Sequence, residues 1–270
     1  MHAWSPEAWW LAYLALGLVV GFFAGMLGIG GGVIIVPLLV FLFTAQQFPA
    51  ERVLHLALGT SLASIVFTNL SSVRAHHLRG GVRWDIVRAA TPAIVAGTLV
   101  GTLFAHRLSS RYLAIIFIVF VFFSSLQMWV DSKPGATRTL PGKLGLSTAG
   151  FAVGALCSLV GVGGGILVIP LMTICNVPMI NAIGTSAALG LPISIGGALG
   201  YIITGLHQTQ LPSLSLGYVY VPALVGLVVG SFVTVPFGAH IAHRTRVIVL
   251  RRLFAVVLFA LATKMLFSLV

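Results

Sequence analysis

Ten apolar segments, separated by polar stretches, occupy about two thirds of the chain of 270 residues. Only 7% of the residues are charged, whereas a soluble domain usually carries about 25%. So few charged side chains cannot cover the surface of a soluble globule of this length. The composition excludes a soluble enzyme, a disordered chain and a nucleic-acid-binding domain. It predicts an all-α, polytopic integral membrane protein.

The apolar segments form two groups of five, one on each side of a polar stretch that contains two prolines and two glycines. We therefore predict a first membrane repeat at 1–130, a cytoplasmic linker at 131–143 and a second membrane repeat at 144–270. The first segment begins at Trp9 without a preceding Lys or Arg, so we expect a retained membrane segment rather than a signal peptide. The segments are Trp9–Leu27, Val33–Phe43, Val53–Val73, Ile86–Ala105, Tyr112–Val130, Leu144–Val160, Ile166–Cys175, Ala182–Thr204, Tyr218–Phe237 and Val247–Leu269.

The two groups share a repeated motif. The sequence GIGGGVIIVPL at 28–38 matches GVGGGILVIPL at 161–171, with six identities in eleven positions. The tripeptide GTS at 59–61 recurs at 184–186. These matches occur in the same order in both halves, which indicates an internal duplication of the kind found in many secondary transporters.

The distribution of Lys and Arg predicts how the two halves are oriented. If each glycine motif reverses the chain, eleven Lys and Arg residues lie on one side of the membrane and three on the other. Basic residues favour the cytoplasmic side, so we expect both termini outside the cell. Five passes or part-passes in each half would then make the two repeats inverted relative to one another.

The segments that follow the glycine motifs are too short to cross a bilayer. Val33–Phe43 has 11 residues and Ile166–Cys175 has 10, whereas a full crossing needs about 20. We therefore predict two half-helices whose tips meet near the midplane. Standard counting of such a chain would give eight full spans.

The glycine motifs are candidate anion-binding residues. The first N–H groups of a helix have no partner within the helix and carry the positive end of its dipole, so two such ends would attract one anion. The alternative is that these glycines serve only close helix packing. The candidate residues are Gly28, Gly30, Gly31 and Gly32 in the first motif and Gly161, Gly163, Gly164 and Gly165 in the second.

The GTS tripeptides add candidate uncharged donors for an oxyanion. They place Thr60 and Ser61 early in one long segment, and Thr185 and Ser186 early in its counterpart. Asn69 follows Ser61 by eight residues and should lie on roughly the same helical face. Hydrogen bonds between helices are the alternative role for these hydroxyls.

Ionisable residues limit the chemistry further. The four carboxylates all lie in loops or at segment ends, so neither a carboxylate proton relay nor a carboxylate-based cation site is expected. We predict no catalytic residue, no metal and no cofactor, and hence no enzyme. His55, just inside its segment, is a candidate proton-coupling residue or an interfacial histidine.

The sequences GFFAGMLGIGGGVIIVPLL and GALCSLVGVGGGILVIPLM, each followed by A-[LI]-G-T-S, resemble the TauE/SafE sulfite exporter family of membrane transporters. The resemblance implies a multi-pass protein of the cell inner membrane that transports sulfur-containing anions such as sulfite or organosulfonates, in the export direction. An anion channel of the same fold without gradient coupling is the alternative. The expected partners are the lipid bilayer and a small anionic substrate, with no nucleic acid, and a homo-oligomer is left open.

Overall fold

The computed structural model describes residues 6–27, 31–130, 140–242 and 247–269. These residues form ten α-helices and one short β-hairpin, and the prediction of an almost entirely helical membrane protein is confirmed. The elements are α1 (Pro6–Leu27), α2 (Gly32–Ala45), α3 (Ala50–Leu78), α4 (Trp84–Arg107), α5 (Ser110–Val130), α6 (Lys143–Val160), α7 (Gly165–Ile174), α8 (Met179–Gly205), β1 (Ser215–Leu216), β2 (Val219–Tyr220), α9 (Val221–Ala242) and α10 (Val247–Leu269).

Six helices in the described parts of the chain are long and apolar enough to cross a membrane: α1, α3, α4, α5, α6 and α8. The two helices after the glycine motifs are shorter, with 14 residues in α2 and 10 in α7. At 1.5 Å per residue they measure roughly 21 and 15 Å, against a hydrocarbon thickness of about 30 Å. Neither helix is long enough to cross a bilayer alone, and the count of eight full spans stays a prediction.

Helices α3 and α8 pack against each other at the centre of the molecule, and they are the most buried of the long helices. Around them α1 packs against α9, α4 against α6, and α5 against α10. Helices α1 to α5 of the first half correspond in order to α6 to α10 of the second. Replacing each helix by its counterpart gives the same four pairings. The orientation of the halves relative to a membrane stays a prediction.

Glycine allows the paired helices to approach closely. A Cβ atom added to Gly17 of α1 would lie 2.6 Å from the carbonyl oxygen of Gly226 in α9, and one added to Gly101 of α4 would lie 2.6 Å from that of Ala155 in α6. Real Cβ atoms almost never come so near a backbone oxygen. These glycines therefore set the helix spacing by the absence of a side chain.

The β-hairpin was not predicted from the sequence, which gave a single segment over Tyr218–Phe237. In the structure Ser215 pairs with Tyr220 and Leu216 with Val219 in antiparallel register, and α9 begins at Val221. The turn needs Gly217, which has φ 56°, a value that glycine adopts without steric cost. Apolar residues in a two-residue strand cannot be distinguished from the start of a helix by hydropathy alone.

Candidate functional site

The second glycine motif is a tight turn between two helices. Gly161 ends α6 with φ 66°, and Gly164 precedes α7 with φ 87°. In the first motif Gly31 has φ 68° and precedes α2. These left-handed conformations favour glycine because it lacks a Cβ atom. Gly28 and Gly30 lie outside the described residues.

The structure brings the two glycine motifs into contact. A Cβ atom on Gly32, the first residue of α2, would lie 2.7 Å from the carbonyl oxygen of Gly161 and 3.1 Å from Cα of Val162. Gly165 begins α7 on the other side of the same turn. The start of α2 therefore packs, backbone on backbone, against the end of α6 and the turn that leads to α7.

One face of α3 runs along this junction. The Ser61 hydroxyl donates a hydrogen bond to the Gly161 carbonyl oxygen, with 2.9 Å between Oγ and O. One turn later, Ile65 packs against Gly32 and Gly163. A further turn on, Asn69 reaches Gly163. These side chains are four residues apart, so they share one face of the helix.

The Asn69 side chain carries a buried hydrogen-bond donor that no described residue satisfies. A Cβ atom on Gly163 would lie 3.2 Å from Asn69 Nδ2, and one on Gly190 would lie 2.7 Å from it. Asn69 is only 5% exposed, and its Nδ2 has no hydrogen-bond partner among the described residues. A buried amide donor without a partner costs free energy, which makes Asn69 Nδ2 the candidate ligand donor at this junction.

Ser186, the counterpart of Ser61, is likewise buried at 2% exposure. Its Oγ has no hydrogen-bond partner within the described part of the chain. At the repeat offset of 133 its expected neighbour would be Gly28, which lies outside the described residues.

The two GTS threonines point away from the junction and connect the two halves. Thr60 Oγ1 accepts a hydrogen bond from the backbone N–H of Tyr220 at 2.9 Å, just before α9. Thr185 Oγ1 accepts one from the backbone N–H of Arg83 at 3.0 Å, just before α4. Both hydroxyls are fully buried. Each still carries a proton, so their predicted role as donors to an anion stays a prediction.

The glycines that precede these threonines make the matching contacts. Gly59 lies against the carbonyl oxygen of Tyr218, and Gly184 against that of Gly81. The contact between α3 and the hairpin before α9 therefore corresponds to the contact between α8 and the loop before α4.

His55 belongs to a different cluster, at the end of α3 that is nearer Ala50. Its Nε2 donates to the Ala105 carbonyl oxygen at 3.0 Å, and its ring stacks on Tyr218 with 5.1 Å between ring centroids. Arg52 Nη1 donates to the Tyr218 hydroxyl at 3.2 Å, and that hydroxyl lies 3.5 Å from His106 Nδ1. Burial raises the pKa of the Tyr218 phenol, and Arg52 acts in the opposite direction.

Sequence reasoning missed Arg52, His106 and Tyr218 as members of this cluster. Arg52 precedes His55 by three residues, a helical spacing that would have placed the two side chains on one face. His106 and Tyr218 come from elements distant in sequence, and no local pattern indicates that they meet His55.

The described carboxylates all occupy first turns of helices: Glu7 in α1, Glu51 in α3 and Asp85 in α4. The carboxylate of Asp85 forms an exposed ion pair with Arg83. No group of His, Cys, Asp and Glu side chains suited to a metal ion occurs within the described ranges. The junction of the glycine motifs therefore presents backbone and uncharged side chains.

The chain is similar to a known protein family and to several named proteins over most of its length. The family model of the sulfite exporter TauE/SafE matches residues 13–265. A probable membrane transporter protein of Haemophilus influenzae is 35% identical over 257 residues, covering 94% of this chain and 97% of its relative. The probable membrane transporter protein YdhB of Bacillus subtilis is 30% identical over 244 residues, covering 84% and 88%. No solved structure matches the chain significantly. The match extends over nearly the whole length, and the chain belongs to the TauE/SafE sulfite exporter family of membrane transporters.

Proposed function

We propose that this protein is a secondary transporter of small sulfur oxyanions, sulfite or organosulfonates, which it exports across the cell inner membrane. The family name and the transporter names of the relatives support the general class. The junction of the glycine motifs supports an anion rather than a cation as substrate, because its described residues offer backbone N–H groups and the Asn69 amide as donors and no carboxylate.

The observation that carries the proposal is the buried, unpartnered amide of Asn69 beside the start of α7. A helix start attracts an anion through its free N–H groups and its dipole. The Asn69 amide adds a directed donor to that field without a charge of its own. Gly163 and Gly190, which carry no side chain, pack against this donor.

We further propose that the halves are inverted repeats, that both termini lie outside the cell, and that the substrate passes at the contact between Gly32 and Gly161. Thr60 accepts a hydrogen bond from the second half and Thr185 accepts one from the first, which supports a two-fold relation between the halves. In such a transporter the two ends of the α3–α8 pair would open in turn.

Binding of sulfite and sulfoacetate to purified protein tests the site. Replacing Asn69 by Leu removes the donor and keeps the number and branching of the side-chain heavy atoms. A hydrogen bond to a charged group contributes about 1.5–3 kcal/mol, or roughly 10- to 150-fold in affinity. The control is Thr68→Val, because the Thr68 hydroxyl bonds within its own helix to the Ile65 carbonyl oxygen. Unchanged affinity in Asn69→Leu, with normal thermal unfolding, would contradict the site.

Flux measurements in proteoliposomes separate a transporter from a channel. A secondary transporter moves sulfoacetate with a fixed stoichiometry to a coupling ion, and an imposed gradient of that ion drives the anion uphill. If sulfoacetate only follows its own electrochemical gradient, whatever other gradients are imposed, the protein is an anion channel and the transporter proposal is wrong.

A further inference from the structure

The cluster of Arg52, His55, His106 and Tyr218 has a property that the proposed function does not use. Two buried polar atoms in it, Arg52 Nε and His55 Nδ1, have no hydrogen-bond partner among the described residues. His55 is 1% exposed, and Arg52 and His106 are half-buried. Arg52 and His106 therefore form the more exposed end of the cluster, and His55 forms its buried end.

The hydrogen bond to Ala105 fixes the tautomer of His55. A carbonyl oxygen only accepts, so Nε2 must carry the proton of the neutral ring. Nδ1 is then a lone pair that faces no donor. Protonation would convert Nδ1 into a second donor and give the ring a positive charge.

The titratable and charged groups that face His55 are Arg52 on its own helix, His106 at the end of α4 and Tyr218 in the hairpin. Glu51 lies on the preceding turn, and its side chain is exposed to solvent. Burial keeps the Tyr218 phenol neutral by raising its pKa. A protonated His55 would therefore meet positive neighbours without a facing negative charge.

The repeat does not require this cluster. At the offset of 125 that relates the GTS tripeptides, the counterparts of Arg52 and His55 are Val177 and Ile180. Gly81 makes the contact with Gly184 that Tyr218 makes with Gly59. Val177 and Ile180 are apolar, so the contact that the two halves share does not itself require the polar side chains of Arg52 and His55.

We propose that Arg52, His55, His106 and Tyr218 form a second anion site, at which a small oxyanion and a proton on His55 bind together. The inference rests on the proposed function, because the transported oxyanion is the ligand. Arg52 Nε and the protonated Nδ1 of His55 supply the donors. The anion offsets the charge that protonation adds, and the proton supplies the hydrogen bond that the anion needs.

The two events are thermodynamically linked, so each must strengthen the other. Protonated His55 is populated at low pH, so the affinity for the anion is highest there and falls as the pH rises. A proton bound with each anion would also leave with it, so one negative charge fewer would cross the membrane for each anion exported.

Sulfoacetate binding to the purified full chain, measured calorimetrically from about pH 5.5 to about pH 8.5, tests the linkage across the usual imidazole range. Both acid groups of sulfoacetate stay ionised over this range. The wild-type affinity should fall about tenfold or more toward high pH. Binding in buffers of different ionisation enthalpy should reveal uptake of up to about one proton per anion.

The variant His55→Gln keeps a donor for the Ala105 carbonyl oxygen and cannot be protonated. It should lose the pH dependence and the proton uptake, and bind at all pH values as the wild type does at high pH. Arg52→Gln should weaken binding throughout the range. The controls are His207→Gln and Arg107→Gln, which change exposed residues near the same end of the molecule and should behave as wild type.

The results distinguish this inference from the proposed function. If wild-type protein binds sulfoacetate with an affinity independent of pH and without proton uptake, the coupled site is wrong and the transporter proposal stands. If His55→Gln retains the wild-type pH dependence, His55 is not the proton acceptor and the inference is overturned. If the wild type binds neither sulfite nor sulfoacetate, both proposals fail. The wild-type proton uptake decides the question even where a variant does not fold.

Discussion

Three glycines have nearly the same left-handed backbone but different surroundings. Gly31 has φ 68°, Gly80 has φ 66° and Gly164 has φ 87°. A Cβ atom on Gly31 would lie 2.9 Å from Val20 Cγ1, and one on Gly164 would lie 2.7 Å from Ile193 Cδ1. A Cβ atom on Gly80 would meet nothing within 4 Å. Gly80 is therefore the control that separates backbone strain from crowding.

Alanine at these positions should separate strain from crowding. Gly80→Ala should lower the free energy of unfolding by about 1–2 kcal/mol, because alanine is strained in the left-handed conformation. Gly31→Ala and Gly164→Ala should lower the free energy of unfolding by about 1–3 kcal/mol more, because the added carbon crowds a packed site. Thermal unfolding in detergent gives the order of stability. Equal losses at all three positions would show that the packing around the motif glycines is not tight.

The GTS threonines provide a second prediction. In Thr60→Val and Thr185→Val, the N–H groups of Tyr220 and Arg83 lose their acceptors, which should cost about 1–3 kcal/mol each and lower the unfolding temperature. Thr60→Ser keeps an acceptor and should cost less. The control is Thr263→Val, whose hydroxyl bonds within α10. A wild-type unfolding temperature in both valine variants would mean that these two hydrogen bonds contribute little.

At this scale the sequence was informative only where the relation between residues is local. The spacing of eight residues from Ser61 to Asn69 predicted their shared face on α3. The partner of Thr60 is 160 residues away and that of Thr185 is 102 residues away. Such pairings depend on how α3 and α8 pack, which a periodic pattern does not specify.

At the scale of elements, length and hydropathy identified the short helices but missed the hairpin. The segments after the glycine motifs were predicted at 11 and 10 residues, and the helices have 14 and 10. Glycine gave a clear start to each helix, because few other residues adopt φ near +70°. Before α9 no such break exists, since Tyr218, Val219 and Tyr220 suit either a strand or a helix.

The spacing between α4 and α6 can be tested through one glycine. Gly97 lies directly against the backbone carbonyl of Phe151, so Gly97→Leu must push the two helices apart and should cost about 1–3 kcal/mol or more. A Cβ atom on Gly142, which precedes α6, would meet nothing within 4 Å. Gly142→Leu should therefore unfold at nearly the wild-type temperature. The same temperature for both variants would contradict the close packing of α4 and α6.

At the scale of the whole molecule, the distribution of Lys and Arg predicts topology. A reporter fused at Gly135 should be cytoplasmic, and one fused after Val270 should lie outside, because eleven basic residues then face the cytoplasm and three do not. Activity of alkaline phosphatase and fluorescence of a green fluorescent protein at each position measure the side. Both reporters on one side would contradict the inverted arrangement of the two repeats.

The exchange of hydrogen bonds between Thr60, Thr185 and the opposite halves has a consequence for biosynthesis. Thr60 accepts from Tyr220, and Arg83 donates to Thr185. Helix α1 finds its main neighbour in α9, and α4 finds its own in α6. Helices α1, α3, α4 and α5 therefore leave the ribosome before their main partners exist. They enter the membrane without these contacts, and α1 completes its packing only after α9 and α10 have been translated.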